Sequence, residues 1–276
     1  MKKNYLYWTI AILITIIVII YQRKTGPTYP KKADTTINGK NYSFKLPRSH
    51  GGNDPCEIKL ELEDGNISGS IFYKLYPSND DFVEVPLIRD RNVLFGHLPV
   101  QPKAGKLAYY VELYTLDNSY YLSEKNPVII RFKGDVPFYF LIPHIIFMFL
   151  AMLLSTYTAI LAIRKAESVR AFVNYTFWSL LIGGIILGPI VQKFAFGEFW
   201  AGVPFAWDLT DNKTLIAFIA WLIAFILNRK KQNLTSVIIA SFILLVIFTI
   251  PHSMFGSELD PTTGAIKQGF IITNNF

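Results

Sequence analysis

The chain has 276 residues, of which 51% are hydrophobic and 17% charged, with a formal net charge of +7. That balance is more apolar than a soluble protein of this length carries, and no basic patch with interleaved aromatics suggests nucleic acid. The single cysteine, Cys56, excludes an internal disulfide, a cysteine-rich metal site and a C-x-x-C-H heme attachment.

The apolar residues cluster into five runs, at 5–20, 138–163, 171–191, 215–227 and 234–250. A spanning helix needs about 20 residues, so the second, third and fifth runs fit. The fourth fits once 211–214 is counted as its interfacial first turn. Residues 1–24 form the first span. Its basic start resembles a signal peptide, but Tyr21-Gln22-Arg23-Lys24 stands where small cleavage-site residues belong, so an uncleaved anchor is expected. Arg164, Lys165 and Arg170 join spans two and three, and Arg229, Lys230 and Lys231 join spans four and five. Cations in such short connections mark them as cytoplasmic. The N-terminus is then cytoplasmic, while the polar stretch 25–135, the loop 192–212 and the tail after His252 face outward from a bacterial inner membrane.

Residues 25–33 contain Gly26, Pro27 and Pro30 and read as a linker. From 34 to 135, strand signals recur without helical periodicity. Ile58, Leu60 and Leu62 alternate against charge before an Asp64-Gly65 turn, and further strands are expected at 69–76, 82–88, 93–98, 107–116 and 128–132. The pattern predicts an antiparallel β-sandwich. The stretch Leu98-Pro99-Val100-Gln101-Pro102-Lys103-Ala104-Gly105, feeding Tyr109-Tyr110-Val111-Glu112, resembles a turn and strand of fibronectin type III or immunoglobulin-like modules. Such a module implies binding or spacing. It holds no acid/base pair, nucleophile arrangement or phosphate loop, and His50 and His97, even beside Asp54 or Asp90, match no metal-ligand spacing.

Residues 136–276 are expected to form a four-span bundle. Ile142-Pro143-His144 opens span two and Ile250-Pro251-His252 closes span five, which puts both imidazoles at one depth on the outward side. An ionisable group there is a functional candidate; the alternative is an interfacial histidine bonded to a carbonyl freed by proline. Gly184 and Gly188 stand four apart, a spacing that lets helices approach closely. After them comes an aromatic loop, from Phe194 through Phe196-Gly197-Glu198-Phe199-Trp200 to Phe205-Ala206-Trp207-Asp208. Asp208 or Thr210 suits the N-cap of span four, and Asp211 complements its dipole. The free amides there, with Lys213, are the alternative: a seat for an anionic group.

The loop and its flanking histidines resemble the tryptophan-rich heme-handling proteins of cytochrome c biogenesis, whose signature is W-G-x-x-W-x-W-D. Phe196-Gly197-Glu198-Phe199-Trp200 matches the first half with Phe for Trp, and Phe205-Ala206-Trp207-Asp208 matches the second after an insertion. The resemblance implies a heme b ligated by His144 and His252, stacked on Phe196, Trp200, Phe205 and Trp207, with Asp208 and Lys213 at its polar edge. Cytochrome assembly is one function it implies. A heme b electron-transfer subunit is a second, and a cofactor-free anchor whose sandwich binds a membrane or extracytoplasmic partner is the third. No catalytic constellation is present in the sequence.

Overall fold

A computed structural model describes residues 2–251, 258–259, 263 and 266–267. The described residues divide into two compact units, one α-helical (2–27 and 136–251) and one β (28–135, with 258–259, 263 and 266–267). The 258–259 and 266–267 segments pair as two-residue strands, and the Leu259 amide donates to the Ala104 carbonyl at 3.1 Å. That stretch therefore belongs with the β unit, whereas the sequence had assigned the whole of 136–276 to the bundle.

The β unit is a sandwich. Its larger sheet runs in the order Ser49–Gly51 (β3), Val128–Lys133 (β11), Lys106–Tyr114 (β9), Ser68–Leu75 (β5) and Val83–Pro86 (β6). Ser119–Leu122 (β10) pairs with the second half of β9. The smaller sheet is Cys56–Glu61 (β4), Val93–Leu98 (β8) and Ile88–Asp90 (β7). Alternation places Ile58 and Leu60 of β4 and Leu107, Tyr109, Val111 and Leu113 of β9 in one fully buried core. The remaining pair, Lys31–Ile37 (β1) and Lys40–Leu46 (β2), begins inside the expected linker. Its two-residue turn is Asn38-Gly39, both with positive φ (50° and 76°), the geometry that favours this dipeptide in a tight hairpin.

The helical unit contains Lys2–Thr25 (α1), Phe138–Ile163 (α2), Val169–Leu180 (α3), Gly188–Phe196 (α4), Leu209–Leu227 (α5) and Leu234–Thr249 (α6). A π-helical turn, Leu181–Leu187, joins α3 to α4, so 169–196 is one continuous helix of 28 residues. Among the described residues, four helices are long and apolar enough to cross a membrane: α1, α2, the 169–196 helix and α5. The sequence had read the fifth run as a full span; α6 is apolar but has 16 residues, short of that length. The core is built from α2, α3, α5 and α6 around Trp221, with α1 held by a Trp8–Tyr157 stack at 3.9 Å between centroids.

The glycines dictate this packing. A Cβ on Gly183 would lie 2.9 Å from the Cβ of Phe147 on α2, and one on Gly184 would lie 3.0 Å from the Thr214 methyl on α5. The backbones approach closely because both positions lack side chains; of the expected pair Gly184 and Gly188, only Gly184 meets a neighbouring helix this tightly.

Candidate functional site

At the end of the bundle where α2 and α5 begin and α4 and α6 end lies a cleft of about 330 Å³. Leu141, Ile145, Met148 and Phe149 of α2 and Phe248 of α6 supply apolar walls. His144, Gln192, Thr210, Asp211 and Thr214 are its polar or ionisable lining, with Gln22 of α1. The mixture of greasy walls and a few converging polar groups is that of a small-molecule site.

His144 owes its pose to the π turn. Gly188 donates its N–H to the Gly183 carbonyl across five residues rather than four, and His144 Nδ1 also reaches that oxygen at 2.9 Å. A carbonyl only accepts, so Nδ1 carries the proton and Nε2 keeps its lone pair. One imidazole nitrogen is thus spent structurally, and the other has no hydrogen-bond partner among the described residues. Pro143 sits inside α2 rather than at its first residue. The carbonyl that captures the imidazole belongs to Gly183, and a proline does not free it.

The aromatic loop is narrower than expected, because α4 runs to Phe196 and α5 starts at Leu209. Carboxylates and an amide of α5 hold it. Asp208 is the N-cap, accepting from Thr210 N at 2.7 Å and Asp211 N at 3.3 Å. Asp211 Oδ2 accepts from the Ala201 amide at 2.6 Å and from Gln192 Nε2 at 2.8 Å, with the Gly202 amide a further donor. Asn212 Oδ1 accepts from Val203 N at 2.7 Å. Gly202 is required here, since a Cβ would fall 2.8 Å from both Asn212 Oδ1 and Asp211 Cβ.

These bonds decide where the expected site residues stand. Phe196 and His144 line the cleft. Trp200 is half-buried and donates its indole N–H to the Val203 carbonyl at 3.1 Å, inside the loop. Phe205 and Trp207 are 79% and 74% exposed and do not line the cleft. The helix-start amides expected to be free are taken by Asp208, which is 4% exposed. Lys213 is equally buried, and its ammonium donates to the carbonyls of Ile250 at 2.8 Å and Pro251 at 3.4 Å. Gln22 donates to the same Ile250 oxygen at 3.2 Å, tying α1 to the end of α6. His252 lies outside the described residues.

Sequence reasoning missed Met148 and Gln192. Met148 is four residues after His144 and therefore on the same helical face, a signal the periodicity did contain. Among the described residues, no cluster of three or more His, Cys, Asp or Glu side chains is placed to hold a metal ion. No protein-family model matches the chain, and neither does any curated protein or solved structure.

Proposed function

We propose that this chain is an integral protein of a bacterial inner membrane that binds heme b in the cleft, with His144 Nε2 as an axial ligand. The bond from His144 Nδ1 to the Gly183 carbonyl carries the reading. Metal-ligating histidines commonly donate their other N–H to such an oxygen, which fixes the tautomer and aims the ring. The apolar walls and Phe196 suit a porphyrin face. The basic connections 164–170 and 228–233, at the other end of the bundle, support an outward-facing cleft. Handling heme during cytochrome assembly fits a single fixed ligand beside an open cleft.

Hemin titrated into the detergent-purified chain is expected to give a Soret band at one heme per chain. His144→Ala is expected to abolish it, and free imidazole to restore it. A wild-type chain without a Soret band, or a variant that binds as the wild type does, sinks the reading.

A second reading is favoured by the exposed Phe205 and Trp207 and by the internal bonding of Asp208, Asp211 and Lys213. Here the bundle is a cofactor-free anchor, and the sandwich binds a partner protein. Complexes isolated from native membranes would then be unchanged by His144→Ala.

A further inference from the structure

The opposite half of the bundle carries a second concavity, on the face shared by α5 and α6. A groove of about 620 Å³ is walled by Ile216, Ile219, Ile223 and Leu227 of α5 and by Ile239 and Ile243 of α6, with Ala220 between them. Its apolar walls are open: Ile223 is 50% exposed, Leu227 47% and Ile239 53%. From Ile216 to Leu227 the α-helical rise gives a length of about 16 Å. That is close to half of a hydrocarbon core about 30 Å thick, or the depth of one leaflet.

The groove opens beside the connection 228–233. Arg229, Lys230 and Lys231 are all exposed there, and the connection contains no acidic residue. A guanidinium from the next connection joins them, because Arg170 donates to the Arg229 carbonyl. The mouth is built rather than loose. Asn228, 1% exposed, donates to the Ala224 carbonyl at 2.8 Å and to Ser236 Oγ at 3.2 Å, and its own Oδ1 accepts from Asn233 N at 2.8 Å. Gln232 bonds the Glu167 carbonyl at 2.9 Å, which ties the two basic connections together.

An apolar channel one leaflet deep, ending beside three exposed cations on a hydrogen-bonded turn, matches a molecule with an acyl chain and an anionic head. We propose that the groove between α5 and α6 binds an anionic phospholipid, one acyl chain lying along the isoleucines and the phosphate at Arg229, Lys230 and Lys231. Charge argues against a second copy of this chain as the occupant. A two-fold contact through this face would set each basic mouth against its own equivalent. A zwitterionic lipid would fill the groove but leave the cations without an anion. Basic pockets between spanning helices recognise anionic headgroups on these terms. The inference rests on the bundle spanning a bilayer and is independent of heme.

The test is native mass spectrometry of the full chain in mild detergent, offered equimolar phosphatidylglycerol and phosphatidylcholine. The wild type is expected to retain the anionic lipid several-fold over the zwitterionic one. Lys230→Gln with Lys231→Gln is expected to erase that preference, whereas Lys40→Gln with Lys45→Gln, exposed on β2 of the sandwich, leaves it. Ala220→Phe fills the groove and is expected to lower retention of both lipids; should it not fold, the lysine variants still decide. Equal retention by the wild type, a preference indifferent to Lys230 and Lys231, or a dimer that Ala220→Phe dissociates would overturn the lipid site alone. A chain released from membranes by alkaline carbonate without detergent would overturn the spanning reading beneath it.

Discussion

The sandwich and the loop end of the bundle bury polar groups on different terms. In the sandwich the core is apolar almost throughout, and ion pairs stay at the surface, as with Lys40 and Glu63 at 2.5 Å. The exceptions are Tyr109, fully buried with its hydroxyl donating to the Pro47 carbonyl at 2.8 Å, and Ser70 and Arg131, at 3% and 8% exposure on separate strands. In the bundle, Asp208, Asp211 and Lys213 are each at most 6% exposed, clustered at the N-cap and first two turns of α5. The loop 197–208 has no strand or helix of its own; its turn bonds the Phe205, Ala206 and Asp208 amides internally, but the Ala201 and Val203 amides need acceptors from elsewhere. Side chains of α5 take that role. What reads from the sequence as an anion seat is therefore mostly the scaffolding of the loop, while His144 Nε2 has no hydrogen-bond partner among the described residues.

If the loop is held this way, Asp211→Ala should produce the largest loss of stability. It strips an acceptor from the Ala201 amide and from Gln192 at once. Hydrogen bonds to a charged group contribute about 1.5–3 kcal/mol each, so a loss on the order of 3–5 kcal/mol is expected. Thermal unfolding in detergent, with limited proteolysis between Gly197 and Asp208, measures it. Asp211→Asn, which keeps one acceptor oxygen, should fall between. A loop that stays protected in the alanine variant would show that Asn212 and Asp208 suffice.

The sandwich counterpart is Tyr109→Phe, which removes one neutral hydroxyl and orphans one carbonyl. The cost expected is about 1–2 kcal/mol, smaller because no charge is involved. Denaturant unfolding of the full chain followed by probes in each unit would assign the loss to the sandwich. An equal or larger loss than Asp211→Ala would erase the contrast between the two regions.

The legibility of these regions differs for the same reason. Period-two alternation is a property of consecutive residues, so β4, β5, β8, β9 and β11 were readable, with Ile58, Leu60 and Leu62 all fully buried. The β1–β2 hairpin went unread, because its mostly polar strands hide the Asn38-Gly39 turn signal. The long apolar helices follow from run length. The N-cap role of Asp208 followed from its position ahead of an apolar run. By contrast, the partners of Asp211 and Lys213 lie 10 and 37 residues away. No local pattern reports such a distance. The π turn was hidden for another reason: the four-residue spacing of Gly184 and Gly188 points to close packing, found at Gly184 and at Gly183 beside it, and nothing in that spacing says that a carbonyl will be shared with His144.

The smallest effect sharpens the sandwich side of the comparison. Cys56 lies on β4 at 3% exposure, and burial, reinforced by the neighbouring Glu57 carboxylate, pushes its thiol from the ordinary 9.0 up to about 11. The thiolate is the reactive form, so alkylation of the native chain at pH 8 should be slow and should become rapid on denaturation. The same shift has a sign for stability. A pKa raised by folding means the unfolded chain releases its proton first, so this contribution is intact below 9.0 and is lost as the pH climbs toward about 11. Cys56→Ala should flatten the decline. Tyr109, whose phenol is also driven upward by burial from 10.0, adds its own decline only above that value. The decisive window is therefore pH 9 to 10, where a slope that survives Cys56→Ala would mean the thiol is not held in the apolar core.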